Sequence, residues 1–326
     1  MTALKVELHL HLEGAAPPEF IRQLAHEKHV DLTGLFDDAG NYVFAGFDHF
    51  LKAYEQACEV LQTPQDFYRL TRAVLERSAE HGILYTESFT SPDFCGGAQV
   101  ADWRDYLAAI EEASAEAERD FGIIHRTIPT CIRHFGGEQA KQAARCAAET
   151  AGGFVTGWGM GGAELMHAPG DFAWAFDCAR EAGLRITCHA GEWGGAAMVC
   201  ETLDQLAPER IGHGIGAAED RELMARLARE GIHLEVCPGS NVVLGAVSGW
   251  GTHPIARLRD AGVPVSVSTD DPPFFHTTMP REAERLAATF GWDEGDFAAL
   301  NGAALDAAFC DDATKDKIAK RLEPTP

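Results

Sequence analysis

Positive charge is scarce in this chain. Its 27 Lys and Arg stand against 50 Asp and Glu, a formal net charge of −23. Such a chain repels nucleic-acid phosphate and anionic membrane surfaces, so neither is expected as a partner. If the ligand carries a base, a nucleobase or nucleoside is expected instead of a strand. Long hydrophobic runs are also missing. None reaches the roughly 18 apolar residues of a membrane span, and the N-terminus has no basic-then-apolar signal pattern. Cysteine pairs are absent: the nine Cys are odd in number, form no C-x-x-C, and in places such as Cys188 and Cys237 sit in apolar runs. That pattern suits buried reduced thiols and argues against a disulfide framework, so a soluble cytoplasmic protein is expected. No repeat, low-complexity segment or linker divides the chain, and residues 1–326 are read as one domain.

What is present is enough apolar material for a large core, 46 % of 326 residues. It is arranged as eight short apolar or alternating segments: Lys5–Leu12, Ile83–Thr90, Ile123–Ile132, Phe154–Gly161, Arg185–Glu192, Arg210–Ile215, Ile232–Gly239 and Val263–Asp271. Stretches with helical spacing separate them, and two of these, Asp171–Ala182 and Asp220–Glu230, run into a stop glycine at Gly183 and Gly231. Strands alternating with helices imply a parallel sheet. Eight such units imply a (β/α)8 TIM barrel, with a doubly wound open sheet as the alternative. The connection 14–82 is too long for one crossover and holds three helical pieces, Pro17–Val30, Phe47–Leu61 and Pro64–His81. It is read as a helical insertion at the barrel mouth, where Phe44, Phe47, Phe50 and Leu51 either form an apolar lid or pack the insertion down. Two or three extra helices follow Asp293, with fraying expected at Glu323–Pro326.

Chemistry collects at the strand ends. The first segment reads Lys5-Val-Glu-Leu-His9-Leu-His11-Leu-Glu13-Gly14. Period-two alternation puts Val6, Leu8, Leu10 and Leu12 on one face and Glu7, His9 and His11 on the other. Segments five, six and eight end in His189-Ala-Gly-Glu192, Gly212-His213-Gly214 and Ser268-Thr-Asp270-Asp271-Pro272. Barrel strand ends converge on one face, so His9, His11, His189 and Asp270 are expected around one point. Three imidazoles and a carboxylate suit Zn²⁺ with a position left for water, whose pKa the ion lowers. Glu192, past Gly191, is placed to act as a general acid in an apolar pocket. His213, flanked by glycines, is expected neutral, taking a proton from water or orienting it. Asp271 faces away from Asp270 and is free to bind substrate. One further motif, Gly157-Trp-Gly159-Met-Gly161-Gly162, satisfies G-x-G-x-x-G. It lies in the fourth unit, where a dinucleotide fingerprint belongs in the first, and glycines there also let a flat ring approach the backbone.

These motifs, in this order and spanning almost the whole chain, resemble the adenosine/adenine deaminase family of the amidohydrolase superfamily. The resemblance implies a zinc (β/α)8 barrel that replaces the 6-amino group of a purine with oxygen and releases ammonia. It implies that His9, His11, His189 and Asp270 bind one zinc, since the fourth strand end lacks the Lys of two-metal relatives. It further implies that Glu192 protonates N1, that His213 and Asp271 position the attacking hydroxide, that Asp271 also holds N7, that the Gly162 backbone meets N3, and that His11 lines the substrate site. Glu13 stands where adenosine-specific members usually carry Asp for the ribose, and is typical of the adenine branch. Gly212 resembles the adenosine branch, and the fourth segment lacks acidic residues often seen there, with Gly159 and Ala163 instead. The reading favours adenosine or deoxyadenosine as substrate, giving inosine, with adenine or a modified 6-aminopurine as the alternative. It leaves the oligomeric state open.

Overall fold

Among the described residues the chain folds as eight parallel strands that neighbour one another in chain order, β1 to β8. A computed structural model describes residues 4–323. The strands are β1 (Val6–His11), β2 (Tyr85–Thr90), β3 (Ile124–Ile132), β4 (Gly157–Gly161), β5 (Arg185–Ala190), β6 (Arg210–His213), β7 (His233–Val236) and β8 (Val265–Val267). Each falls inside the segment of the sequence that was apolar or alternating. The ring closes at the mouth, where the His11 N–H donates to Asp270 O (3.0 Å) and the Asp270 N–H to His9 O (3.1 Å). This is a TIM barrel, and its strands are short where the chain turns into the site. β8 stops at Val267 because Asp270 takes a left-handed backbone, φ 66°.

Thirteen α-helices surround the strands among the described residues: α1 (Pro18–Lys28), α2 (Phe47–Cys58), α3 (Pro64–Glu80), α4 (Val100–Phe121), α5 (Gly137–Glu149), α6 (Ala173–Glu181), α7 (Gly195–Leu206), α8 (Arg221–Glu230), α9 (Pro238–Leu244), α10 (Ile255–Asp260), α11 (Met279–Phe290), α12 (Glu294–Ala307) and α13 (Asp312–Leu322). Local chemistry sets their ends. Asp220 accepts from Glu222 N and Leu223 N to start α8, and Gly231, at φ 69°, ends it, the left-handed stop that costs a glycine least. Within the 14–82 connection, α3 packs along α4 as an ordinary crossover helix, so the part added to the barrel is 14–63. Only Glu323 of the expected frayed tail lies within the described residues.

Two departures from simple alternation position the site. The β1–β2 register slips between Glu7 and Leu10, and the Ser268 hydroxyl accepts from both Leu8 N and His9 N at 3.2 Å. This bulge separates Glu7 from the histidines with which period two grouped it. The Glu7 carboxylate accepts from Thr269 N and Oγ1, beside Val74, Arg77 and Ser78 of α3, while His9 and His11 reach Asp270. At the opposite end, the segment after α12 plugs the barrel. Phe309 lies 3.6 Å from the Arg210 guanidinium by ring centroid, and its N–H donates to Glu87 (2.5 Å). Buried Arg210 in turn pairs with Glu87 (2.7 Å) and Glu235 (2.5 Å).

Candidate active site

Four side chains from three strand ends meet at one point. One ligand atom each from His9, His11, His189 and Asp270 lies within 4.8 Å of all the others. His11 Nε2 is 3.2 Å from His189 Nε2 and 3.2 Å from Asp270 Oδ1, and His9 Nε2 is 3.4 Å from the same oxygen. His9 Nε2 and Asp270 Oδ1 are buried without a hydrogen-bond partner. Burial and the neighbouring imidazoles hold His189 well below its usual value, and burial lowers His11, so both keep a lone pair. Burial alone would also lower His9, but the adjacent carboxylates of Asp270 and Glu235 outweigh it and raise His9 to about 9, and a cation at Nε2 would take the place of that proton. Converging lone pairs around a carboxylate form a cradle for a divalent cation, and this N₃O set fits zinc. A competing set, His9, His213, Cys237 and Asp270, is equally compact. Burial pushes the Cys237 thiol well up, the wrong direction for a thiolate ligand.

The other residues singled out from the sequence surround the same cavity, which measures about 80 Å³ and is lined by His11, Glu13, Gly162, Glu192, His213 and Asp271 among others. Burial, then the charges of Asp270 and Glu164, push Glu192 up to about 8, so at neutral pH it carries a proton. Burial takes His213 down to about 3. Asp271 is raised by burial and by adjacent Asp270, which is itself held low by its bonds to His11 and His9 against burial. His213 and Asp270 both hold left-handed backbone, φ 59° and 66°, strain that non-glycine residues show where a site over-determines them. Gly14 leaves room for Asp271, since a Cβ there would overlap the Asp271 carboxylate.

Glu13 has both oxygens occupied. Oε1 accepts from Ser91 N (2.9 Å) and Oε2 from the Tyr54 hydroxyl (3.4 Å), and burial raises it to about 7. Phe47, Phe50, Leu51 and Tyr54 of α2 roof the cavity. Phe47 lies 5.2 Å from Trp193 by ring centroid, and Phe44 packs behind, against Phe50, Phe274 and Phe275. The glycines of β4 line the barrel interior: a Cβ on Gly159 would meet Thr130, and one on Gly161 the rings of His189 and His11.

Sequence reasoning missed the groups that hold these residues. Glu164 sits two positions past Gly162, and the buried carboxylate accepts three successive backbone N–H groups, from Gly191 (2.5 Å), Glu192 (2.9 Å) and Trp193 (2.7 Å). Strand seven, given no role from sequence, supplies three supports from one junction. Glu235 bonds His9 Nδ1 (2.9 Å), the Ser240 hydroxyl donates to Asp270 Oδ2 (2.6 Å), and the Asn241 amide donates to Glu192 Oε1 (2.9 Å). A single acid in an apolar run and a polar pair after Pro238-Gly239 were the only signals available.

The family model described as adenosine deaminase matches residues 4–325. The chain belongs to the adenosine deaminase family. Among its relatives, an adenine deaminase from Rhizobium leguminosarum bv. trifolii is 44 % identical over 319 residues, covering 98 % of each chain. One from a Chelativorans species is 43 % identical over 321 residues, again 98 % of each. The crystal structure of adenine deaminase from Arthrobacter aurescens superimposes with a TM-score of 0.90 at 34 % identity over 98 % of both chains. A zinc-bound amidohydrolase from Burkholderia ambifaria gives 0.85 at 28 % identity, over 98 % of this chain and 90 % of its own. As a family member the chain is a hydrolytic deaminase, and deaminases of this family depend on a metal.

Proposed function

We propose that this protein is a zinc-dependent adenine deaminase that converts adenine and water to hypoxanthine and ammonia. The observation that carries the reading is that Glu192, a buried carboxyl pushed up to about 8, lines the same cavity as the N₃O cluster of His9, His11, His189 and Asp270. His9, His11, His189 and Asp270 would hold the ion, which when bound supplies Lewis-acid activation of a water. The chain's own residues do the rest. Glu192 donates its proton to the purine ring nitrogen beside C6, which draws electrons from that carbon. His213 and Asp271 orient the water whose oxygen adds at C6, and Asp271 also hydrogen-bonds N7 of the base. The Gly162 backbone, with no Cβ to hold it off, faces the flat ring. The amino group leaves C6 as ammonia with one proton of the water, the proton from Glu192 stays on the ring nitrogen of the product, and the water's second proton restores Glu192.

Adenine replaces the adenosine first read from Gly212. That glycine has a steric reason unrelated to sugar: a Cβ there would lie 2.9 Å from His9 Cε1 and 3.1 Å from His189 Nδ1. Glu13, which would meet a ribose, is instead spent on Ser91 and Tyr54. The cavity is small against the roughly 300–1,000 Å³ of larger ligand sites. Eight relatives of 40–44 % identity, all adenine deaminases, point the same way. The test is ammonia release from adenine and from adenosine at matched concentration and measured zinc content. Adenine is expected to exceed adenosine by about 100-fold or more in kcat/KM, the scale a buried unpaired polar group imposes. Equal or faster turnover of adenosine would overturn the reading.

A further inference from the structure

Between the acid and the imidazole lies a side chain that touches both. Asn241, at the first turns of α9, places its amide nitrogen 2.9 Å from Glu192 Oε1 and 3.2 Å from His213 Nδ1. Its amide oxygen is 3.3 Å from His253 Nε2. Asn241 and His253 are both buried. The orientation of an asparagine amide and the tautomer of a histidine are ordinarily matters of assignment. Here a backbone group decides them.

The Ile255 N–H opens α10 and has no helical acceptor of its own. It donates to His253 Nδ1 at 3.2 Å. That ring is neutral, since burial takes His253 down to about 4. A neutral imidazole has one N–H, so with Nδ1 accepting, the proton sits on Nε2. His253 Nε2–H then donates to Asn241 Oδ1, which turns the amide so that its two N–H bonds point at Glu192 Oε1 and His213 Nδ1. Both of those atoms must accept. The acid proton of Glu192 is left on Oε2, and the ring proton of His213 on Nε2. These two donors lie on the same side, with His213 Nε2 3.7 Å from Glu192 Oε2.

We infer that Asn241 is a positioning residue that, set by His253, fixes the acid proton of Glu192 on Oε2 and presents His213 to the reacting atoms as an N–H donor. His213 therefore orients an oxygen by donating to it and does not serve as the base in its resting form. The inference rests on the deaminase reading above for its catalytic meaning. The chain of hydrogen bonds itself runs from a peptide N–H to two cavity-lining groups.

The tautomer is read directly by ¹H–¹⁵N correlation on zinc-loaded, ¹⁵N-histidine-labelled protein, with the His213 signals assigned by their loss in His213→Asn. The expected spectrum shows His213 Nε2 protonated and Nδ1 bare, and a protonated Nδ1 overturns the inference. Asn241→Asp replaces both donors with acceptors. It is expected to move the His213 proton to Nδ1 and to lower kcat by about 10–100-fold, the cost typical of a lost orienting partner, while KM and zinc content stay close to wild type. Wild-type kcat in that variant, with zinc in place, also overturns it. His253→Phe removes the directing donor and should lower kcat in the same direction, whereas His253→Gln keeps an N–H toward Asn241 and should restore it. Loss of this rescue counts against the relay. If wild-type protein releases no ammonia from any 6-aminopurine, the deaminase reading fails, and the spectrum still decides the tautomer.

Discussion

At the scale of single residues, the two acids of the site are expected to separate cleanly when each is altered. Glu192→Gln keeps the shape and the Asn241 contact but has no acidic proton to give. Turnover should fall by roughly 10²–10⁴-fold, the usual worth of a positioned acid, with zinc retained. A variant that still deaminates adenine normally would remove Glu192 from the acid role. Asp270→Ala deletes the carboxylate that three contacts now share, from His9, His11 and Ser240. Its zinc content after dialysis, measured by elemental analysis, should drop well below one per chain, and a full complement would contradict Asp270 as a ligand.

At the scale of elements, strand β6 has little room to vary at Gly212. Gly212 lies between the rings of His9 and His189, and a methyl group there lies closer to His9 Cε1 than real contacts allow. Gly212→Ala should cost about 1–3 kcal/mol of stability as overpacking, read from urea midpoints, and should lower zinc content as the rings are pushed apart. An unchanged midpoint with full zinc would show that the rings yield freely. This steric reason also explains what sequence alone could and could not deliver. The eight strands were legible because buried parallel strands are apolar runs, and the cluster of His9, His11, His189 and Asp270 because polar residues at the ends of such runs have few structural excuses. The bulge in β1 was not legible, since a one-residue slip leaves no mark on alternation and its partner, Ser268, lies 259 residues from His9. Glu164, Glu235, Ser240 and Asn241 were silent for the same reason: each acts through a neighbour far away in the chain. Gly212 was visible, but the crowding by His9 and His189 that excludes a side chain there was not.

For the whole molecule, buried acids make stability depend on pH in an uncommon direction. Glu282 on α11 is buried between Gly239 N, which donates to it at 3.0 Å, and the Thr277 hydroxyl, and burial raises it to about 8. Between its unfolded value, near 4.5, and about 8, the folded chain holds this proton and the unfolded chain does not. Unfolding then releases a proton, and raising the pH favours the unfolded state by up to about 1.4 kcal/mol per unit across that window. The contribution is complete below the unfolded value and gone once pH passes the folded one. The urea midpoint of the wild type relative to Glu282→Gln should fall as pH is raised through 5, 7 and 9. Parallel curves would show that Glu282 is ionised in the folded protein.

The closure of the ring between β1 and Asp270 also has a temporal side. Ser268, on which the strand of His9 hangs, is made 259 residues after His9. At roughly 5–20 residues per second, His9 and His11 wait on the order of ten to fifty seconds for the strand that completes their surroundings. The plug at Phe309, which braces Arg210 and through it Glu235 and His9, arrives later still. The cluster of His9, His11, His189 and Asp270 is thus assembled only after its last strand has been made, and it cannot seed the folding of the strands that precede it.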